Sequence, residues 1–196
     1  MAELTAARFI VKDWELTNWF LDHGADPNAG CYFDYTPMSC AVKNAPMKTV
    51  KLLFERGSDI KKGQLIHHAI ERGSQDVIEM LDLLLQKGAQ LNERKYEDHW
   101  PSWNMMFFMG LGTPLHGATR ARKLQVVDYL LTKGADLKVK DSMDRTALYY
   151  ASKEGLSEII KLLEKREDEL EEEEREDWIE RGRILAWDFS ETLVEV

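Results

Sequence analysis

His68 and the run Glu97-Asp98-His99 supply the residue types that acid–base chemistry near neutral pH uses. A carboxylate beside an imidazole selects its tautomer and tunes its pKa, so a small-molecule isomerase or cyclase using His68 and His99 is one reading. The competing reading is polar residues at the base of a loop, open to solvent. His67 and His116 sit at equivalent points of a recurring pattern and read as imidazoles that tie neighbouring backbone together. Gly110-Leu111-Gly112 has no strand and helix around it, and reads as a flexible loop base rather than a phosphate cradle. The two cysteines, Cys31 and Cys40, have no nearby histidine pair at ligand spacing. No catalytic residue, metal ligand or cofactor is assigned from these motifs.

Two cysteines in 196 residues are few for a small secreted fold, which points to a reducing cytoplasmic or nuclear setting. No apolar run approaches the roughly 18 residues that a membrane span needs. The opening segment mixes acids and bases too closely for a secretory signal. The net charge of −9 belongs to the tail, where fourteen acids and five bases follow from Glu164 onward, leaving the remainder neutral. A body without basic excess does not suit the phosphate backbone of a nucleic acid.

What positions these residues is a repeat. Thr113-Pro114-Leu115-His116 returns in weaker form as Thr36-Pro37-Met38-Ser39, Gln64-Leu65-Ile66-His67 and Thr146-Ala147-Leu148-Tyr149. A small residue follows each, at Ala41, Ala69, Ala118 and Ala151, where two antiparallel helices must approach closely. Thr at the entrance caps exposed N–H groups, and Pro behind it has its φ preset for the first helical turn. Glycine turns close the units at Gly24, Gly57, Gly88 and Gly134, each preceded by apolar pairs such as Leu53-Phe54 and Leu130-Leu131.

The spacing of 33 residues from Thr113 to Thr146 and the Thr-Pro-Leu-His-x-Ala signature resemble the ankyrin repeat. The long aromatic finger at 93–112 is similar to those of ankyrin proteins of filamentous fungi. The resemblance implies an all-α ankyrin-repeat solenoid of about five helix-turn-helix units, with one extended finger loop and a C-terminal helical extension. The array covers 1–164, with units at about 3–26, 36–59, 64–92, 113–137 and 146–164. The first unit lacks the entrance signature and reads as an N-terminal cap. Arg122 and Ala45-Pro46 stand where glycine is usual.

Fingers between units differ in length. The segment Gly57 to Gln64 is clipped, whereas residues 93–112 form an extended finger rich in Trp, Phe and Met. Aromatic and Met side chains dominate interface anchors. Tyr32, Phe33 and Tyr35 on one finger and Tyr96, Trp100, Trp103 and Phe107 on the other therefore read as partner contacts across a notch left by the clipped finger. Arg72 and Arg120 on the concave helix face add polar contacts of mixed surroundings, which suits a protein or peptide. The expectation is a non-catalytic protein–protein interaction scaffold. Residues 165–177 read as an acidic helical extension, and 178–196 as an apolar C-terminal cap, docking segment or homodimer contact.

Overall fold

The computed structural model describes residues 9–31, 33–73 and 75–191, with side chains as far as Arg181. Helices come in antiparallel pairs. An outer helix α1 (Trp14–Asp22) is followed by the pair α2 (Pro37–Asn44) and α3 (Met47–Glu55), and then α4 (Leu65–Ile70) and α5 (Val77–Gln86). A finger helix, α6 (Trp100–Met106), precedes the pair α7 (Pro114–Arg120) and α8 (Leu124–Thr132). The last pair is α9 (Ala147–Lys153) and the long α10 (Ser157–Glu191). Inner helices stack in the order α2, α4, α7, α9, while α1 packs on α3, α5 on α8 and α8 on α10. The result is a two-layer, all-α solenoid, as the repeat pattern implies.

The repeat residues do what their types allow. Thr36 accepts from the Ser39 N–H while the Ser39 hydroxyl accepts from the Thr36 N–H, a reciprocal cap. His116 plays the same part for Thr113, whose N–H reaches its Nδ1 at 3.1 Å; the His116 Nε2 then donates to the carbonyl of Arg145 in the next unit. Gly24, Gly57, Gly88 and Gly134 all have φ near +90°, the left-handed stop that a side chain resists. Arg122 replaces glycine but keeps the left-handed backbone at φ 57°, whereas α2 ends in an extended Ala45 forced by the following proline. Met38, Leu53, Met80, Leu81, Leu84, Leu115, Leu130 and Leu163 fill the continuous core between the layers.

Cations on the loops between inner and outer helices bind one repeat to the one before. Arg72 donates to the carbonyls of Val42 (2.9 Å) and Ala45 (2.8 Å), and is held by Asp76. One repeat later, Lys123 donates to the carbonyls of Ile70 and Arg72, both at 2.6 Å. Carbonyls at a helix C-terminus lack intrahelical partners and carry the negative end of the macrodipole, so a cation there is doubly favoured. Arg72 is 5% exposed, and its expected place on the concave binding face is therefore corrected: it is an internal clamp.

The fourteen-residue reach of α10 past Glu164 to Trp178 is about 21 Å at helical rise. Lys138 meets Glu174 at 3.2 Å as this helix passes the last finger. Trp178 and Ile179 stand 76% and 40% exposed on it. Residues to Glu191 continue the same helix. Side chains from 182 and all of 192–196 lie outside the described residues, so the expected cap or docking role of 178–196 stays an expectation. Among the described residues no helix is long and apolar enough to cross a membrane.

Candidate functional site

The long finger is pinched at its base, where the Lys95 N–H donates to the carbonyl of Gly112 at 3.0 Å. Inside it, His99 accepts from the Ser102 N–H and Pro101 sits in the first turn, so α6 forms within what reads as loop. A short 3-10 turn, Phe107–Met109, brings the chain back. The return is packed tightly. Gly110 has φ 72°, and a Cβ there would lie 2.5–2.6 Å from Tyr150 Oη, Arg145 Nη2 and Asp141 Oδ2. The glycine pair expected to be a flexible base is therefore a close contact onto the last finger, reinforced by Leu111 N–H donating to Ser142 Oγ at 2.8 Å.

On its other flank the finger meets the preceding one. The Gln64 amide donates to Asp34 Oδ2 and accepts from the Tyr96 N–H, both at 2.8 Å. The notch expected over the clipped finger is thus bridged. What remains there is a recess of about 200 Å³ in which Lys61, Glu93, Arg94 and Asp98 stand beside Ile60 and Leu65, a mixed lining without Trp, Tyr or Phe.

A larger groove, about 460 Å³, opens between the finger and inner helices α4 and α7. Ile70, Met106, Met109 and Leu111 give it an apolar floor, and Lys95, Glu71 and Arg120 line its polar side. Glu71 is shared: Lys43 reaches it at 2.6 Å, Lys95 at 2.9 Å and the buried His68 Nδ1 at 3.4 Å. The hydrogen bond from His68, then those from both lysines, hold its carboxyl well below the usual range. Arg120 lies over the Tyr150 ring and donates to the Gly110 carbonyl, with no carboxylate partner among the described residues.

The sequence-derived contacts divide by burial. Phe33 (39% exposed), Trp100 (71%), Phe107 (48%) and Arg120 are on the surface. Tyr35 is half-buried with its ring edge-on to His68 at 4.9 Å, and Trp103 is half-buried against Arg94 at 5.1 Å. Tyr96 is 8% exposed and is corrected from an open anchor to a structural residue; its φ of 63° is set by the turn it makes toward Gln64. Tyr32 lies outside the described residues. Lys95, Met106 and Met109 complete a groove that the aromatic count alone did not outline, because it forms where Lys95 and Lys43 converge on Glu71.

The enzymatic set is not assembled. His68 is sealed beneath Tyr35 and bonded to Glu71, whereas His99 caps its own helix through Ser102 and Glu97 pairs with Arg94. Burial lowers the His68 pKa, and burial then Lys95 push His67 down to about 3, so both imidazoles stand neutral at pH 7.

A family model for ankyrin repeats, in three copies, matches residues 4–95 and 103–172. The chain belongs to the ankyrin-repeat family. The unmatched gap falls in the extended finger of the array. Ankyrin repeat protein nuc-2 of Neurospora crassa is 32% identical over 133 residues, 66% of this chain and 11% of that protein. A mitochondrial disaggregase of Bos taurus is 29% identical over 163 residues, 83% of this chain and 22% of that protein. The B-cell lymphoma 3 protein homolog of Mus musculus is 29% identical over 136 residues, 66% of this chain and 27% of that protein. The chain thus spans about a tenth to a quarter of the length of these relatives, one of them from a filamentous fungus. Ankyrin arrays are in general protein–protein interaction modules.

Proposed function

We propose that this ankyrin array is a non-catalytic scaffold that holds a protein or peptide in the groove between its long finger and helices α4 and α7. One observation carries the reading. Trp100, Met105, Phe107, Phe108 and Met109 are 47–71% exposed on a single finger whose backbone is tied to the repeats on both sides. Large apolar side chains on a pre-ordered segment lose little entropy on binding and leave water in contact with a partner. Of these Met109 lines the groove itself, together with Arg120 and Lys95, which give direction through charge.

The test places a photo-crosslinking residue at Phe107 or Trp100 and compares captured partners with those from an equivalent substitution at Lys51 on outer helix α3. A discrete partner captured only from the finger, and lost on Arg120→Glu, supports the reading. Equal capture from both faces overturns it.

A further inference from the structure

We infer that the groove's occupant is the acidic α10 of a second copy of this chain, with Trp178 and Ile179 seated on the groove's apolar floor. The inference rests on the groove being a protein-binding surface and names what fills it.

Charge complementarity is the first argument. Lys95 and Arg120 line the groove against one carboxylate, Glu71, which Lys95 already shares with Lys43 behind it. The surplus is cationic in a body that is neutral as a whole. Residues 167–177 carry nine acids and one arginine. Some pair locally, Arg166 with Glu169 and Glu173, Arg175 with Glu172 and Lys138 with Glu174, but acids outnumber these cations and the segment remains strongly negative. Opposed surpluses on one molecule favour association between copies.

Apolar complementarity is the second. Glu171 and Trp178 are seven residues apart in one helix, as are Glu172 and Ile179, so each pair shares a face with its acid two turns before its apolar residue. Among the described residues Trp178 is the most exposed of the large apolar side chains, at 76%. A groove of about 460 Å³ floored by Ile70, Met106, Met109 and Leu111 has room for these two side chains, with the helix lying across the rim.

The course of α10 leads away from the chain's own groove. The first turns of α10 pack on α8 and α9, and the helix then runs on without proline, about 40 Å beyond Glu164. A continuous helix does not turn back onto the concave face of its own array. Two copies exchanging tails satisfy both grooves in one closed, two-fold arrangement.

Sedimentation velocity of the full chain over a concentration series, at low and high salt, tests this. The expected result is a reversible dimer that high salt weakens about tenfold or more, since rim ion pairs are screened. Trp178→Ala, at an exposed site that leaves the array intact, should weaken it about thirtyfold, the size of an aromatic anchor. Lys95→Glu with Arg120→Glu, and separately Glu171→Lys with Glu172→Lys, should each leave monomers. Mixing these two variants should restore a dimer, because the reversed charges at 171 and 172 then meet the reversed charges at 95 and 120, while the second groove and its tail keep their parent signs. Circular dichroism melts establish that the variants are folded. A parent that stays monomeric at every concentration overturns the inference, as does a dimer indifferent to the tail substitutions or a mixture that remains monomeric. The broader reading of the groove fails separately, through the finger crosslinks.

Discussion

The side-chain oxygen of Gln64 accepts the backbone N–H of Tyr96 at 2.8 Å, joining the shortest finger of the array to the longest. Its amide nitrogen simultaneously reaches Asp34 on the finger before. One side chain therefore orders two neighbours, and the long finger inherits its position from a residue thirty-two places earlier. Gln64→Ala should cost about 1–2 kcal/mol, the scale of hydrogen bonds left unpaired in a half-buried setting. Gln64→Glu should cost more at neutral pH, since a second carboxylate would face Asp34. Denaturant titration gives the stability, and faster hydrogen exchange at the Tyr96 amide would locate the loosening. An unchanged Tyr96 exchange rate would contradict this account of the finger.

Arg72→Leu should destabilise the array by about 2–4 kcal/mol, because the carbonyls of Val42 and Ala45 lose the guanidinium donor and its ion pair with Asp76 goes with it. Arg72→Lys should recover only part, since an ammonium lacks the planar fork that reaches two carbonyls and a carboxylate together. Urea midpoints at constant slope are the measurement. A lysine variant as stable as the parent would show that charge alone, without geometry, caps the helix.

This residue also marks where the sequence stops being readable. The repeats were legible because each signature residue acts locally: Thr36 and Ser39 cap within one turn, and Gly134 stops the helix it follows. Arg72 was misread since its repeat position predicts exposure, whereas its partners lie about thirty residues earlier in the chain. Tyr96 was misread for the same reason, its partner being Gln64. The helix α6 did leave a signal, His99 before Pro101 in a cap-and-first-turn arrangement, hidden within an aromatic run that suggested loop. The groove around Glu71 left none, because it needs Lys43, His68 and Lys95 from three segments.

Three buried histidines make stability depend on acid. Burial lowers the pKa of His67 to about 3, and moves His68 and His116 in the same direction. A depressed folded pKa means the unfolded chain binds protons first. This stabilisation is therefore complete above pH 6.5 and is lost as pH falls below it, for His67 down to about 3. The slope is about 1.4 kcal/mol per pH unit for each histidine that stays neutral. Between pH 6.5 and 5 most carboxylates remain ionised in both states, so thermal melts in that window read the histidines. His67→Gln should flatten the slope; a parent whose melting does not change across the window would contradict neutral burial.

Gly110→Ala should disturb the finger and leave the array folded. The added methyl meets Tyr150, Arg145 and Asp141, and the left-handed backbone adds strain of about 1–2 kcal/mol. Asp141 accepts hydrogen bonds from the Tyr150 hydroxyl and the Met143 and Arg145 N–H groups, so it cannot easily retreat. Loss of exchange protection should be confined to the return of the finger and the last turn. A variant with native protection there would mean the finger is not docked through Gly110.

Exposure separates binding from folding at the finger itself. Leu130 is fully buried between layers, and Leu130→Ala should cost about 2–5 kcal/mol, transfer and cavity together. Trp100 and Phe107 are 71% and 48% exposed, so Trp100→Ala and Phe107→Ala should shift stability by about 0.5 kcal/mol or less. Each should nevertheless weaken a common partner by more than about 1 kcal/mol, because an anchor's contribution appears only when its surface leaves water. Trp103→Ala should show the reverse balance, since its ring already lies under Arg94. Parallel melting and affinity measurements on the four variants decide the matter. Stability losses at Trp100 and Phe107 as large as at Leu130 would assign the finger to the core and remove it from the binding surface.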